Sequence, residues 1–227
     1  MHNNNTTTTP QPVTRTLHAP ATVHLRQAAG PDAPESRTIE GYAILFNTPS
    51  AVMYRDSEQE VREQIAPEAV TQQLLDSSDI KMTMNHDFST LLARSKQGQG
   101  TLSYNIDTRG VHFSFEAPRT DDGDRALELV RRGDIDGCSF MFTCRYSDPA
   151  CVTRTVTYDS GSALSQVLYT IRSINSIHDF TLTPMPAYPD TQVSARQLRE
   201  MTSRATHDSQ RVDGQVREMR QAAHITL

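Results

Sequence analysis

Residues 101–117 read TLSYNIDTRGVHFSFEA, and this stretch decides the fold class. Leu102, Tyr104 and Ile106 alternate with polar residues, as do Val111, Phe113 and Phe115. Alternation of this kind puts each trio on one face of a strand. The intervening DTRG is a four-residue turn, with Gly110 available for a positive φ. The stretch is therefore a β-hairpin with one buried face.

Working outward, TIEGYAILF (38–46) reads as a strand carried by Ile39, Tyr42, Ile44 and Phe46. Gly41 within it marks a bulge or a close approach. VREQI (61–65) is a further short strand. In APEAVTQQLLDSSD, Pro67 suits a first helical turn and Glu68 favours a helix N-terminus. Val70 and Leu74 are spaced as i,i+4 partners, so a short helix ending near Asp76 is expected. IKMTMNH (80–86) alternates Ile80, Met82 and Met84, as a half-buried strand does. Downstream, DDGDRALELVRRG (121–133) predicts a helix: an acidic start, an Ala126/Leu127/Val130 face, terminal Arg131–Arg132 and a Gly133 stop. GCSFMFTCRY (137–146) is a strand, the 150s and early 160s a polar loop, and 165–174 and 176–185 two more strands. There is no βαβ alternation and no internal repeat. The fold class is α+β, β-rich with a few helices.

Residues 1–36, rich in Asn, Thr, Pro, Gln and Ala, have too little apolar surface to offset ordering entropy and read as a flexible arm. Residues 37–194 form the body. Residues 195–227 are an Arg/Gln-rich tail with six arginines against four acidic residues, suited to docking on a partner. The whole chain has 227 residues and only 36% hydrophobic residues. Its mean hydropathy is −0.55, consistent with an unpacked portion. A formal net charge of −5 argues against nucleic acid as the main partner. Lysine occurs only as Lys81 and Lys96, a bias with no physical account. Cys138, Cys144 and Cys151 form no CxxC pair, which argues against a disulfide framework and a cysteine zinc site and fits a reducing compartment. No apolar run approaches the about 20 residues needed to span a bilayer. The opening MHNNNTTTTPQP has no secretory apolar core, so the expected location is the cytoplasm, without membrane contact.

Three places could carry chemistry. His86, in MNHDFST, lies at a predicted strand end, and an imidazole there can take and return a proton near neutral pH. Ser139, in GCSFMF, follows a glycine and opens an apolar strand; it is a weak nucleophile without a base in reach. Asp179, in SIHDFTLTPMPAYPDT, can orient an imidazole and stabilise its cation. Successive strand side chains face opposite ways, so only one of His178 and Asp179 serves a given site. Taken singly, each residue has a plainer explanation: a loop histidine, a strand-opening serine, an edge carboxylate. A separate functional reading, a metal hydrolase built on His86, Asp87, His112 and His178, matches no helical HExxH spacing.

In order, NHD, GCSF and HDFTLTPMPAYPDT resemble the pattern of the HK97-type prohead proteases. The flanks IEGYAILFNTPS, EQIAPEAV, GQGTLSYNIDTRGVHFSFEAP and LELVRRGDIDGCSF resemble that family too, so the likeness covers about residues 37–196. No single motif is specific; the ordered set is. The resemblance implies a fold related to herpesvirus assemblins, a β-barrel-like antiparallel core surrounded by a few helices. It implies a serine endopeptidase with Ser139, His86 and Asp179 as Ser-His-acid triad and no cofactor or metal. Many relatives carry Glu at the position of Asp179. Herpesvirus proteases use a second histidine as third member, which makes His178 a rival; Asp179 holds the family's acid position on the opposite face. A thiolate at Cys138 and an oxyanion role for Arg172 are the weaker assignments. The implied partners are the major capsid protein with its scaffold segment, the portal or prohead shell, and other copies of the chain. The implied location is the assembling prohead in the host cytoplasm. The competing expectation is a catalytically silent capsid scaffolding protein that keeps the fold.

Overall fold

The structure is a computed structural model that describes residues 11–19, 22–28, 30, 35–158 and 164–184. In chain order the elements are β1 (Val13–Ala19), β2 (His24–Leu25), β3 (Thr38–Leu45), β4 (Tyr54–Arg55), β5 (Gln59–Ile65), a 3-10 turn (Pro67–Ala69), α1 (Gln72–Ser77), β6 (Asp79–Met84), β7 (Ala93–Lys96), β8 (Gln99–Gly100), β9 (Leu102–Ile106), β10 (Gly110–Glu116), α2 (Asp121–Arg131), β11 (Gly137–Cys144), β12 (Val152–Tyr158), β13 (Ser165–Ile171) and β14 (Ser176–Thr183).

The hairpin is β9–β10, with Phe113 opposite Tyr104 and Phe115 opposite Leu102. Val111, Phe113 and Phe115 are buried, as their alternation requires. Asp107 closes the turn by accepting the Arg109 and Gly110 N–H groups at 2.8 and 3.0 Å. Gly110 is needed for space rather than for a left-handed φ: a Cβ there would stand 1.9 Å from the Ile44 carbonyl oxygen. Gly41 is likewise a close approach, since its Cβ would lie 2.4 Å from the Thr22 carbonyl oxygen.

The strands form three sheets, ordered β1-β11-β14-β6-β7-β8, β2-β3-β10-β9 and β12-β13-β5-β4. Among the described residues strands dominate and two short helices accompany them. None of the sheets closes on itself among the described residues, so no single sheet makes the expected barrel. Nor is the core purely antiparallel: β14 pairs parallel to β6, and β13 parallel to β5. Parallel partners need long crossovers, and here whole elements intervene.

Paired residues share a face of a sheet. In the largest sheet, Phe140, Phe142, Phe180, Leu182 and Met82 are buried on one face. Phe180 meets Phe113 of the hairpin sheet at a ring separation of 6.5 Å. Truncating such a ring to alanine costs about 3–5 kcal/mol. The α2 helix is set by its ends: Thr120 accepts the Gly123 N–H at 3.3 Å, three aspartates fill the first turn, and Gly133 follows at φ 76°.

Expectations for individual elements change as well. Residues 13–19 and 24–25, assigned to a flexible arm, form β1 and β2. Their polar composition hid the strand, because one of the inward residues of β1 is Arg15, buried against Glu63. The polar loop of the 150s is the strand β12, whose exposed edge carries Arg154 and Thr155 while its backbone pairs with β13. The helix expected over 67–76 divides, because Val70 is extended and Thr71 starts α1 anew by accepting the Leu74 N–H at 3.1 Å. The strand over 80–86 stops at Met84, leaving His86 beyond it. Residues 1–10 and the 195–227 tail, with PAYPDT (186–191), lie outside the described residues.

Candidate active site

The site begins with strand parity. Ser139 pairs with Thr181, and Met141 with Asp179, across β11 and β14. Thr181 pairs in turn with Thr83 on β6. Ser139, Thr181, Thr83 and Asp179 therefore share one face of the sheet, opposite the phenylalanine face. This face is polar yet buried: Asp179, Thr181 and Thr83 are 0% exposed and Ser139 is 4% exposed.

The chain leaving β6 turns over this face. Asn85 and His86 adopt φ of 53° and 59°, consecutive left-handed residues without a glycine. Three backbone contacts hold them there: Asn85 N–H donates to the Leu182 carbonyl at 3.1 Å, His86 N–H to Thr181 Oγ1 at 2.9 Å, and Asp87 N–H to the Met84 carbonyl at 3.0 Å. The Asp87 carboxylate is taken up locally, accepting the Ser89 N–H and hydroxyl at 2.9 and 2.7 Å. It is thus spent on turn geometry.

This turn delivers the imidazole between the other two groups. His86 Nε2 lies 3.0 Å from Ser139 Oγ, and Nδ1 lies 3.0 and 2.9 Å from the Asp179 oxygens. An ionised carboxylate only accepts, so Nδ1 carries the proton and Nε2 is left to accept from the serine. Thr83 Oγ1 fixes the carboxylate, donating to Asp179 Oδ2 at 3.2 Å with Thr181 Oγ1 at 2.9 Å as its alternative acceptor. The His86 side chain is about a quarter exposed, so the line reaches solvent through the imidazole. Ser139 Oγ also lies 2.8 Å from the Leu17 carbonyl oxygen on β1.

The three candidate residues from the sequence are thus brought together, and the rivals are not. His178 sits at a register shift of β14 and turns to Thr143 and Ser176. Cys138 faces away from Ser139, fully buried, and burial pushes its thiol far above the usual range. A thiolate there is disfavoured. Arg172 pairs with Glu68 at 2.6 Å instead of reaching Ser139. His112 stacks edge-on against Tyr42 at 5.2 Å, away from His86. Among the described residues no group of three or more His, Cys, Asp or Glu gathers as a metal site. No described helix is long and apolar enough to cross a membrane. Sequence reasoning missed Thr181 and Thr83. Period two from Asp179 reaches Thr181, and the face of β6 opposite Met82 and Met84 carries Thr83, so the signal was present.

A hydroxyl, an imidazole and a carboxylate joined in one hydrogen-bonded line have the parts for acyl transfer. Residues 23–204 match the family described as caudovirus prohead serine protease, and the chain belongs to that family. Among solved structures it is similar to the capsid assembly protease gp21 of bacteriophage T4, at 10% identity and a TM-score of 0.38, over 74% of this chain and 98% of that one. No curated protein sequence matches the chain. Family membership makes it a serine protease of phage capsid maturation.

Proposed function

We propose that Ser139, His86 and Asp179 are the catalytic triad of an endopeptidase that cuts the scaffold segment of the major capsid protein, and itself, inside the prohead. The carrying observation is the pair of contacts on one imidazole, 3.0 Å to Ser139 Oγ and 2.9 Å to Asp179 Oδ2. Ser139 Oγ attacks the scissile carbonyl carbon as its proton passes to His86 Nε2. Asp179 holds the tautomer and stabilises the cation. The imidazolium returns the proton to the leaving amine. Water then repeats the sequence on the acyl-enzyme. Proton transfer of this kind contributes about 10²–10⁴-fold.

The mechanism needs no cofactor, no metal, no nucleic acid and no membrane. Enclosure with the capsid protein inside the shell, in the host cytoplasm, raises the effective substrate concentration, so modest affinity suffices. The same confinement brings copies of the chain, and the portal, within reach of one another.

The test is intact-mass analysis of wild type and Ser139→Ala, each co-expressed with the major capsid protein of the same genome. Capsid-protein and self-trimming that stop in Ser139→Ala are expected. Identical trimming in both removes Ser139 as nucleophile, and none in either favours a scaffolding role.

A further inference from the structure

The strand β1 is out of place for a structural element. The family match begins at residue 23, so β1 (Val13–Ala19) precedes the part of the chain shared with relatives. Yet β1 lies at the outer position of the largest sheet, antiparallel to the strand that bears Ser139, and β11 is its only strand partner among the described residues. His18 pairs with Ser139 and Leu17 with Phe140. This register puts the Leu17 carbonyl oxygen 2.8 Å from Ser139 Oγ. A hydroxyl has one proton, so Leu17 competes for it with His86 Nε2, which is 3.0 Å away.

From Thr14 to Leu17 the side chains of β1 alternate as those of a bound peptide do. Arg15 and Leu17 are buried, at 4% and 5% exposure, and Thr14 between Val13 and Arg15 is exposed. Arg15 enters a pocket in the body of the protein. Its guanidinium pairs with Glu63, a fully buried carboxylate, and lies 4.7 Å over the Tyr146 ring. Tyr146 donates its hydroxyl to the same Glu63 oxygen at 2.7 Å. The fit is incomplete: Arg15 Nε and the second oxygen of Glu63 have no hydrogen-bond partner among the described residues. A buried ion pair with open atoms recovers little of its desolvation cost. It selects a register far better than it clamps a strand.

We propose that the edge of β11 is the peptide-binding strand of the active site and that β1 occupies it as a self-peptide. The ligand class is an extended chain with arginine two residues before an aliphatic residue whose carbonyl meets Ser139. Main-chain pairing along β11 holds such a chain, and alternate side chains give the choice, as in other strand-addition sites. The Glu63–Tyr146 pocket reads the arginine. In this arrangement the full chain is latent until β1 leaves. The inference rests on Ser139 being the nucleophile.

The test follows the rate at which a fluorescent fluorophosphonate labels Ser139 in the full chain, with Ser139→Ala as blank. Leu17→Glu puts a carboxylate at a buried position of β1 and leaves the Arg15–Glu63 pair its partners; Arg15→Ala removes the anchor. Either variant should label about tenfold faster than wild type or more, since an unpaired buried charge strongly disfavours the docked strand. Added VTRTLHA peptide should slow the variants again, and the same peptide with Glu in place of Arg should not. Equal rates in wild type and variants, or equal slowing by both peptides, overturns the proposal while leaving the nucleophile intact. No labelling in any form removes the nucleophile and the inference together. Hydrogen exchange on the wild type needs no variant to fold. Amides of β1 should exchange through a local opening that the β14–β6 ladder does not share, and β1 exchange only by global unfolding would count against displacement.

Discussion

Replacing Thr181 by valine tests how His86 is held. The exchange swaps a hydroxyl for a methyl at nearly constant volume. The lost oxygen accepts the His86 N–H at 2.9 Å, while the Thr83 hydroxyl keeps Asp179 as acceptor at 3.2 Å. One backbone N–H is therefore left without its partner, at a cost of about 1–3 kcal/mol. The same bond offsets the left-handed backbone of Asn85 and His86, which costs about 1–2 kcal/mol per residue. Without it the turn relaxes and carries the imidazole away from Ser139. A misplacement on the order of 1 Å costs about 10²-fold in rate. Thr181→Val should thus lower kcat on a scaffold-derived peptide by about 10²-fold with KM nearly unchanged. Thr181→Ser, which keeps the oxygen, should restore most of the rate. Urea unfolding of the same samples separates the two effects. A kcat equal to wild type alongside reduced stability would refute the reasoning, because His86 would then be positioned without Thr181.

Asp179→Asn can present an amide N–H to His86 Nδ1, which forces the proton onto Nε2 facing Ser139; kcat/KM should fall about 10³–10⁴-fold, and a loss under tenfold contradicts the orienting role. Burial pushes the Cys144 thiol up to about 12, and raises Cys138 and Tyr146 as well. Because these folded-state values are raised, their contribution is complete below the unfolded thiol value of about 8.5 and is lost as pH climbs toward the folded one. Each thiol adds a slope of about 1.4 kcal/mol per pH unit there, so urea midpoints should fall above that pH, and Cys144→Ala should flatten the fall. Gly110→Ala must move the Ile44 carbonyl, which its Cβ would meet at 1.9 Å, and should lower stability by about 1–3 kcal/mol in urea melts; an unchanged midpoint would show that β3 and β10 separate freely. The Arg-x-Leu spacing of β1 recurs at Arg196–Leu198, so self-trimming should include a cut after Leu198, visible as a terminal fragment in the intact mass.

Period-two patterning made most of the strands legible. The trios in TLSYNI and VHFSFEA needed no partner to be read, because their buried faces are apolar. What escaped were strands whose inward residues are polar or whose faces are both wet. In β1 an arginine points inward, and only the distant Glu63 makes that affordable. In β12 the outward face is polar and the pairing is supplied by β13. Pairing direction was also hidden, since β5–β13 and β6–β14 join residues about a hundred positions apart. Ser139, His86 and Asp179 were legible as an ordered set of motifs, whereas their supports were reachable only by counting in twos from Asp179 and along β6. A threonine reads as an ordinary strand former until Thr83 and Thr181 are set beneath His86.

The site depends on register more than on any one bond. Across β11 and β14 the paired numbers run Ser139 with Thr181 and Met141 with Asp179, which keeps the serine hydroxyl and the carboxylate on one face. The register shifts between Met141 and Phe142, where Phe142 pairs with Ile177 and His178 becomes the extra residue. Had that bulge fallen between Ser139 and Met141, parity would have turned Asp179 toward the phenylalanines and offered His178 to the imidazole. The position of the bulge thus decides which of the two neighbours faces His86. The contacts fit that logic, with Asp179 on His86 and His178 turned to Thr143 and Ser176. Deleting His178 should therefore do more than remove an unused histidine. It would erase the bulge and press the Met141–Phe142 end of β11 to slide against β14. The damage should appear in Ser139 labelling, while His178→Ala, which keeps the residue count, should leave labelling close to wild type.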